Sequence, residues 1–168
     1  MNYYGTAKVC LNGHMVTPSI EFNTTRKVDF CSKCGSKTIT KCPKCEATIN
    51  GNLYDDQLPI EWYSIKTNVD PITPLYCHSC GSPYPWTETA LKSAESIIRL
   101  DEQLTEEQIQ AFCECLPDLI VETQKSQLAL IQFKRFIDKA ASVTGPAVLE
   151  ILINISSSGM AQKLFGLA

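Results

Sequence analysis

The 168-residue chain is 44% hydrophobic and 20% charged, enough apolar material for one domain or two small ones. Fifteen Lys/Arg against eighteen Asp/Glu leave a formal charge of −3, which argues against a general electrostatic grip on nucleic acid. The start, MNYYGTAKV, has no apolar signal-peptide core, so the paired cysteines among the nine point to metal chemistry in a cytoplasmic setting and not to a secreted disulfide framework.

In chain order, residues 3–9 (YYGTAKV) read as a short strand entering a Cys-x-x-x-His knuckle, Cys10/His14, with Gly13 free to make the bend. Tyr3 and Tyr4 are expected to cap a small metal core. Residues 15–30 read as a hairpin: MVTPSI, a polar turn at Asn23-Thr24-Thr25, then KVDF. FCSKCGSKTITKCPKC then supplies two Cys-x-x-Cys pairs, Cys31/Cys34 and Cys42/Cys45, with Thr38-Ile39-Thr40 as a β-branched strand core between them. A positive φ just after the second cysteine suits Gly35 and Gly81. Glu46 breaks that rule, so its knuckle is expected to differ.

After ATING, where Asn50-Gly51 signals a turn, 31 residues separate Cys45 from Cys77. This long insert predicts a loop at Asp55–Pro59 and an extended arm around Ile60–Thr67, with Trp62 and Tyr63 as candidate contacts to a partner or to the helical half. The fourth pair is Cys77/Cys80. Thr87 reads as a helix N-cap, with Trp86 and Leu91 as a hydrophobic staple at the seam between two parts.

Helical periodicity follows. Leu91, Ala94, Ile97 and Ile98 share one helix, and Thr105–Gln108 is a capping box for a second, which Pro117 ends or kinks. A third is expected from Gln124 to Ala141 with Leu130, Phe133, Ile137 and Ala140 inward. Pro146 restarts the chain as the first residue of a fourth. The apolar run Ala147–Ile155 is shorter than the ~20 residues of a membrane span, and Glu150 and Asn154 interrupt it. The apolar end is expected to bury itself in its own bundle or against another copy. Cys113 and Cys115 point to different helix faces and read as buried free thiols, not as ligands.

The expected fold is therefore a small metal-stabilised β part with two zinc ribbons (residues 1–86) followed by an all-α region (87–168), α+β overall. Eight soft ligands in four pairs suffice for two tetrahedral sites: Cys10, His14, Cys31, Cys34, Cys42, Cys45, Cys77 and Cys80. Sequential, nested and cross-braced pairings are all open. The sequential one is preferred, because each half then reads as knuckle, strand pair, knuckle. Two Zn²⁺ are the expected ions, with iron the alternative. A Cys₃His site adds −1 and a Cys₄ site −2, which takes the loaded chain to about −6.

YGTAKVCLNGH, FCSKCGSKTITKCPKC and YCHSCGSPYPWTE together resemble a bacterial zinc-ribbon family catalogued as a domain of unknown function, and more broadly the double zinc ribbons used as adaptor modules. The resemblance is specific over about residues 3–90. It implies two zinc ribbons in a bacterial cytosolic protein and brings no activity with it.

Eight ligands for two ions leave no open coordination position, and the sequence has no phosphate loop or nucleophile motif. The expected function is a non-catalytic binding or adaptor protein. Its partner is expected to be protein, or another copy through the C-terminal helices, with nucleic acid the weaker alternative. Six basic residues (Arg26, Lys27, Lys33, Lys37, Lys41 and Lys44) against Asp29 alone form a candidate phosphate edge, or a solvated rim. A rubredoxin-like redox protein and a nuclease assisted by His78 are the alternative functions.

Overall fold

A computed structural model describes residues 2–23, 28–55 and 73–166. Asp56–Pro59, the arm at Ile60–Thr67 with Trp62 and Tyr63, and Arg26 and Lys27 lie outside them. The chain divides into two compact units, 1–87 and 88–168.

The first unit is β. Strand β1 (Asn2–Thr6) pairs antiparallel with β5 (Asn50–Asp55), while β2 (Lys8–Cys10) lies between β3 (Met15–Thr17) and β4 (Thr38–Ile39). Residues 3–9 are thus two strands, with buried Ala7 between them donating its N–H to Ile49 O at 2.8 Å. Thr24 and Thr25 of the expected hairpin's turn lie outside the described residues; among those described its two arms do not pair with each other, since β3 takes β2 as its partner and Phe30 bridges to Lys37.

Asn50-Gly51 is not a turn but the start of β5. A Cβ on Gly51 would lie 1.7 Å from Pro18 O, so glycine is there to let two backbones touch. Gly5, at the register shift of β1, is similarly pressed by Ser19 and the Tyr54 ring. Between them Asn52 N donates to Pro18 O and Ile20 N to Thr6 O. The Glu21 carboxylate takes the Thr6 N–H and the Ser19 hydroxyl; although burial pushes it up, those bonds hold it below the usual range. Tyr3 and Tyr4 are exposed on β1 and cap no metal core, with Tyr3 stacked on Tyr54. Among the described residues a small buried cluster joins Ala7, Val9, Ile49, Tyr84 and Trp86 with Cys42 and Cys77, and Met15, Ile39 and Ala47 pack against it.

The second unit is helical. Helix α1 (Pro85–Arg99) starts two residues before the expected cap. Proline opens it, since its fixed φ suits a first turn and its missing N–H is no loss there. Thr87 is then inside the helix and donates its hydroxyl to Leu75 O. Helix α2 (Glu106–Leu119) carries the expected capping box at Thr105/Gln108 and runs through Pro117. That proline is exposed near the helix end, where one lost backbone bond is tolerated.

Helix α3 (Ser126–Lys139) buries Ser126, Ala129, Phe133 and Phe136, a face turned from the expected one toward Phe136. Phe136 is the ring that meets Phe112 of α2, at 5.1 Å. Helix α4 (Thr144–Ile155) begins two residues before Pro146, so the proline is third and not first. Helix α5 (Ser158–Phe165) ends the described chain with Met160 and Leu164 fully buried. Buried Asp101 joins the elements: its carboxylate accepts from Gln103 N at 2.9 Å and Ala141 N at 2.8 Å. Cys115 is buried and its thiol pushed up to about 12 by that burial, while Cys113 is partly exposed. Among the described residues no helix is long and apolar enough to cross a membrane.

Candidate metal centres

Three knuckles share one backbone pattern. The N–H after the second cysteine donates to the carbonyl of the first: Gly35 to Cys31 at 2.8 Å, Glu46 to Cys42 at 3.0 Å, Gly81 to Cys77 at 2.9 Å. The first cysteine's N–H donates onward to Ser36, Ala47 and Ser82, each at 2.8 Å. All three turns need a left-handed residue, with φ of +72° at Gly35, +68° at Gly81 and +62° at Glu46. The expectation of a different geometry at Glu46 is therefore corrected: the knuckle imposes its conformation on a residue that resists it. The Cys10/His14 turn is one residue longer and uses Gly13 at φ +85°, with the His14 N–H reaching Cys10 Sγ at 3.3 Å.

The donors meet in two groups, Cys10/His14/Cys31/Cys34 and Cys42/Cys45/Cys77/Cys80, with the ligand atoms of each within 4.8 Å of one another. This is the sequential arrangement. In the first, Cys10 Sγ lies 3.5 Å from His14 Nδ1 and 3.7 Å from Cys34 Sγ, and Cys31 Sγ lies 3.7 Å from His14 Nδ1. In the second, Cys42–Cys80 and Cys45–Cys77 are 3.9 and 3.6 Å apart. Sulfurs about 2.3 Å from a tetrahedral ion stand about 3.8 Å from each other, so both groups have the size to hold a metal ion. His14 presents Nδ1 to the sulfurs, which leaves Nε2 outside.

Each site is half in and half out. Cys10, Cys31, Cys42 and Cys77 are buried, while Cys34, Cys45 and Cys80 are exposed at the knuckle tips. Backbone and hydroxyl bonds from Ser36 lower Cys34 to about 6, and the N–H groups of Cys80 and Ser79 lower Cys77 to about 6. Cys45 goes the other way, to about 11: the Ala47 N–H lowers it, but burial and the three neighbouring thiols together outweigh that bond. Four thiols at this spacing compete for protons, and a divalent cation held by Cys42, Cys45, Cys77 and Cys80 would relieve the conflict by taking all four as thiolates.

Neighbouring residues fix the ligands, as outer shells of metal sites do. Tyr84 is buried, and that burial together with the neighbouring Cys77, Cys42 and Cys45 sulfurs holds its pKa well above the usual phenol range. Tyr84 stacks on Trp86 at 4.7 Å, and the Trp86 indole donates to Pro74 O at 2.9 Å. Trp86 also lies against Gly13, where a Cβ would come within 3.0 Å of it. One aromatic pair thus touches the ligand loops of both sites. Sequence reading set Trp86 as structural but missed Tyr84; the SPYPW stretch offered only its aromatic spacing as a signal. His78 is exposed, and its Nε2 donates to Thr48 O at 3.2 Å, tying one knuckle of the second site to the chain after the other. Asn12 joins the knuckles of the first by donating to Ser36 Oγ at 2.9 Å. Cys113 and Cys115 join neither group.

The profile of a family described as an uncharacterized protein conserved in bacteria (DUF2321) matches residues 3–164. No curated protein and no solved structure matches the chain.

Proposed function

The chain belongs to that uncharacterized bacterial family, whose description carries no activity, and we propose from the site alone that it is a non-catalytic binding protein held in shape by two zinc ions. The observation that carries this reading is the two four-donor groups. Three thiolates with an imidazole, and four thiolates, are the donor sets of structural zinc. A hydrolytic metal site keeps a position for water, and four protein donors leave none. Iron would fit four sulfurs in the second group, but a Cys₃His partner site beside it favours zinc in both. The ions fix a ribbon surface for recognition, and the helical unit supplies packing. Its partner is a protein, or a second copy using exposed Leu128 and Ile131 on α3. Thiolate sites of this kind persist in the reducing cytoplasm, which is where we place the protein.

Native mass spectrometry of protein purified without added metal tests the proposal. Two zinc ions per chain are expected. One ion, or iron, overturns the assignment, and hydrolytic turnover that disappears in His78→Ala overturns the non-catalytic reading.

A further inference from the structure

A shallow cavity of about 290 Å³ opens on the ribbon unit, lined by Lys8, Thr38, Ile39, Lys41, Pro43 and Glu46, among others. Two knuckles of the same unit repeat one sequence feature: lysine precedes the second cysteine in both Cys31-Ser32-Lys33-Cys34 and Cys42-Pro43-Lys44-Cys45. Among the described residues this unit carries Lys8, Lys33, Lys37, Lys41 and Lys44, and none of the five makes an ion pair or a side-chain hydrogen bond there. Such a surface attracts anions, and the cavity gives it a place to hold one side chain deeper than the rest.

Three observations select the anion. The cavity has no aromatic lining on which a base could stack. Glu46 shares it with the two lysines, so its field is broken and does not make the continuous positive track that a phosphodiester chain follows. Ile39 and Pro43 supply an apolar floor between charges, suited to a protein side chain. Addition of a partner strand to β4 is ruled out by the backbone: Thr38 N already donates to Asp29 O at 2.9 Å, and Thr40 O accepts from Ile49 N at 2.9 Å. Recognition must therefore run through side chains.

We infer that this lysine-rimmed cavity is the docking surface for an acidic protein segment, one that sets carboxylates on Lys8 and Lys41 and an apolar residue on Ile39 and Pro43. The inference rests on the binding-protein reading above and names the partner's chemistry.

The test uses the full metal-loaded chain and three fluorescein-labelled probes: a peptide alternating Glu and Leu, the same peptide with Gln for Glu, and a single-stranded oligonucleotide of equal charge. The Glu peptide alone is expected to bind, and more weakly as salt rises from about 50 to about 300 mM. Joint Lys8→Gln and Lys41→Gln substitution is expected to weaken it about tenfold, as two exposed ion pairs allow, whereas Lys134→Gln with Lys139→Gln on α3 leaves it within about twofold. Lys8→Arg with Lys41→Arg should keep binding, which separates charge from folding. Equal or tighter binding of the oligonucleotide overturns the inference. So does Glu-peptide affinity unchanged in the Gln pair, or self-association in sedimentation that the Gln pair abolishes, which assigns the cavity to a second copy. Metal content is measured on every variant. A chain with two zinc ions and no peptide binding refutes this inference and spares the functional reading, while a wild-type chain short of metal refutes the functional reading itself.

Discussion

Replacing Glu46 with glycine should improve a metal site, although it deletes a side chain beside a ligand. Glu46 holds φ +62° in the same turn that glycine makes at Gly35 and Gly81. A residue with a Cβ pays about 1–2 kcal/mol in that region. Glycine returns part of this through its greater freedom in the unfolded chain, about 0.4–1 kcal/mol. The net expectation for Glu46→Gly is a gain of about 0.7 kcal/mol. Because ribbon folding and metal binding are one equilibrium, this appears as about threefold tighter metal binding at the Cys42/Cys45/Cys77/Cys80 group. Gly35→Ala and Gly81→Ala are the matched controls. A Cβ at either position meets nothing within 4 Å, so the change is backbone strain alone and should weaken the respective site by a similar factor. Competition against a chromogenic chelator reads all three variants. Looser metal binding in Glu46→Gly, or no loss in the two alanine variants, would refute the argument that conformation and not side-chain contact governs these knuckles.

Other consequences are open to equally direct measurement. Tyr84→Phe removes the hydroxyl beside Cys77 and should cost the second site about tenfold in metal affinity while leaving the Cys10/His14/Cys31/Cys34 site unchanged in the same competition assay. Gly51→Ala drives a Cβ into Pro18 O and should destabilise the first unit by about 3 kcal/mol in urea unfolding. Asp101→Asn should destabilise the helical unit by about 2 kcal/mol at neutral pH. Burial raises the Asp101 pKa, but the bonds from the Thr144 hydroxyl and the Ala141 and Gln103 N–H groups bring it below the ordinary value. Its contribution is thus complete above the ordinary aspartate range and fades as pH falls through the depressed one, so variant and wild type should converge in acid. Stripping metal with a strong chelator should unfold residues 1–87 and leave the α-helical circular dichroism of 88–168 in place, because the buried cluster described in the first unit is small and shares its cysteines with the proposed ion sites.

The two groups of donor side chains were legible because their spacing is local and repetitive: Cys-x-x-Cys must turn, and the turn prints glycine at Gly35 and Gly81. The capping box at Thr105 was legible for the same reason, as both of its bonds fall within four residues. Long-range partners left no comparable mark. Nothing near Asn2–Thr6 announces that its strand mate lies at Asn50–Asp55. Gly51 looked like a turn residue because glycine is used both for turns and for close approach, and only Pro18 O tells them apart. Proline misled at helix starts: Pro85 opened a helix that Thr87 seemed to cap, and Pro146 stands third in a helix it was expected to begin. Pro117 does not end its helix, since an exposed position near a helix end makes the missing bond cheap. Glu46 misled because propensity describes what a residue prefers, while four sulfurs closing on one point decide what it does.

The division of each site into sulfurs facing inward and sulfurs facing water also sets a clock. An ion in a closed shell leaves by exchanging one donor at a time, and an incoming ligand must first reach a donor. Cys34, Cys45 and Cys80 are the donors it can reach. The second group exposes two such sulfurs and the first only one, so ions held in them would depart at different rates even where their affinities agree. Transfer of metal to or from another molecule would start at the knuckle tips, beside Lys33 and Lys44, and the inward cysteines would let go last.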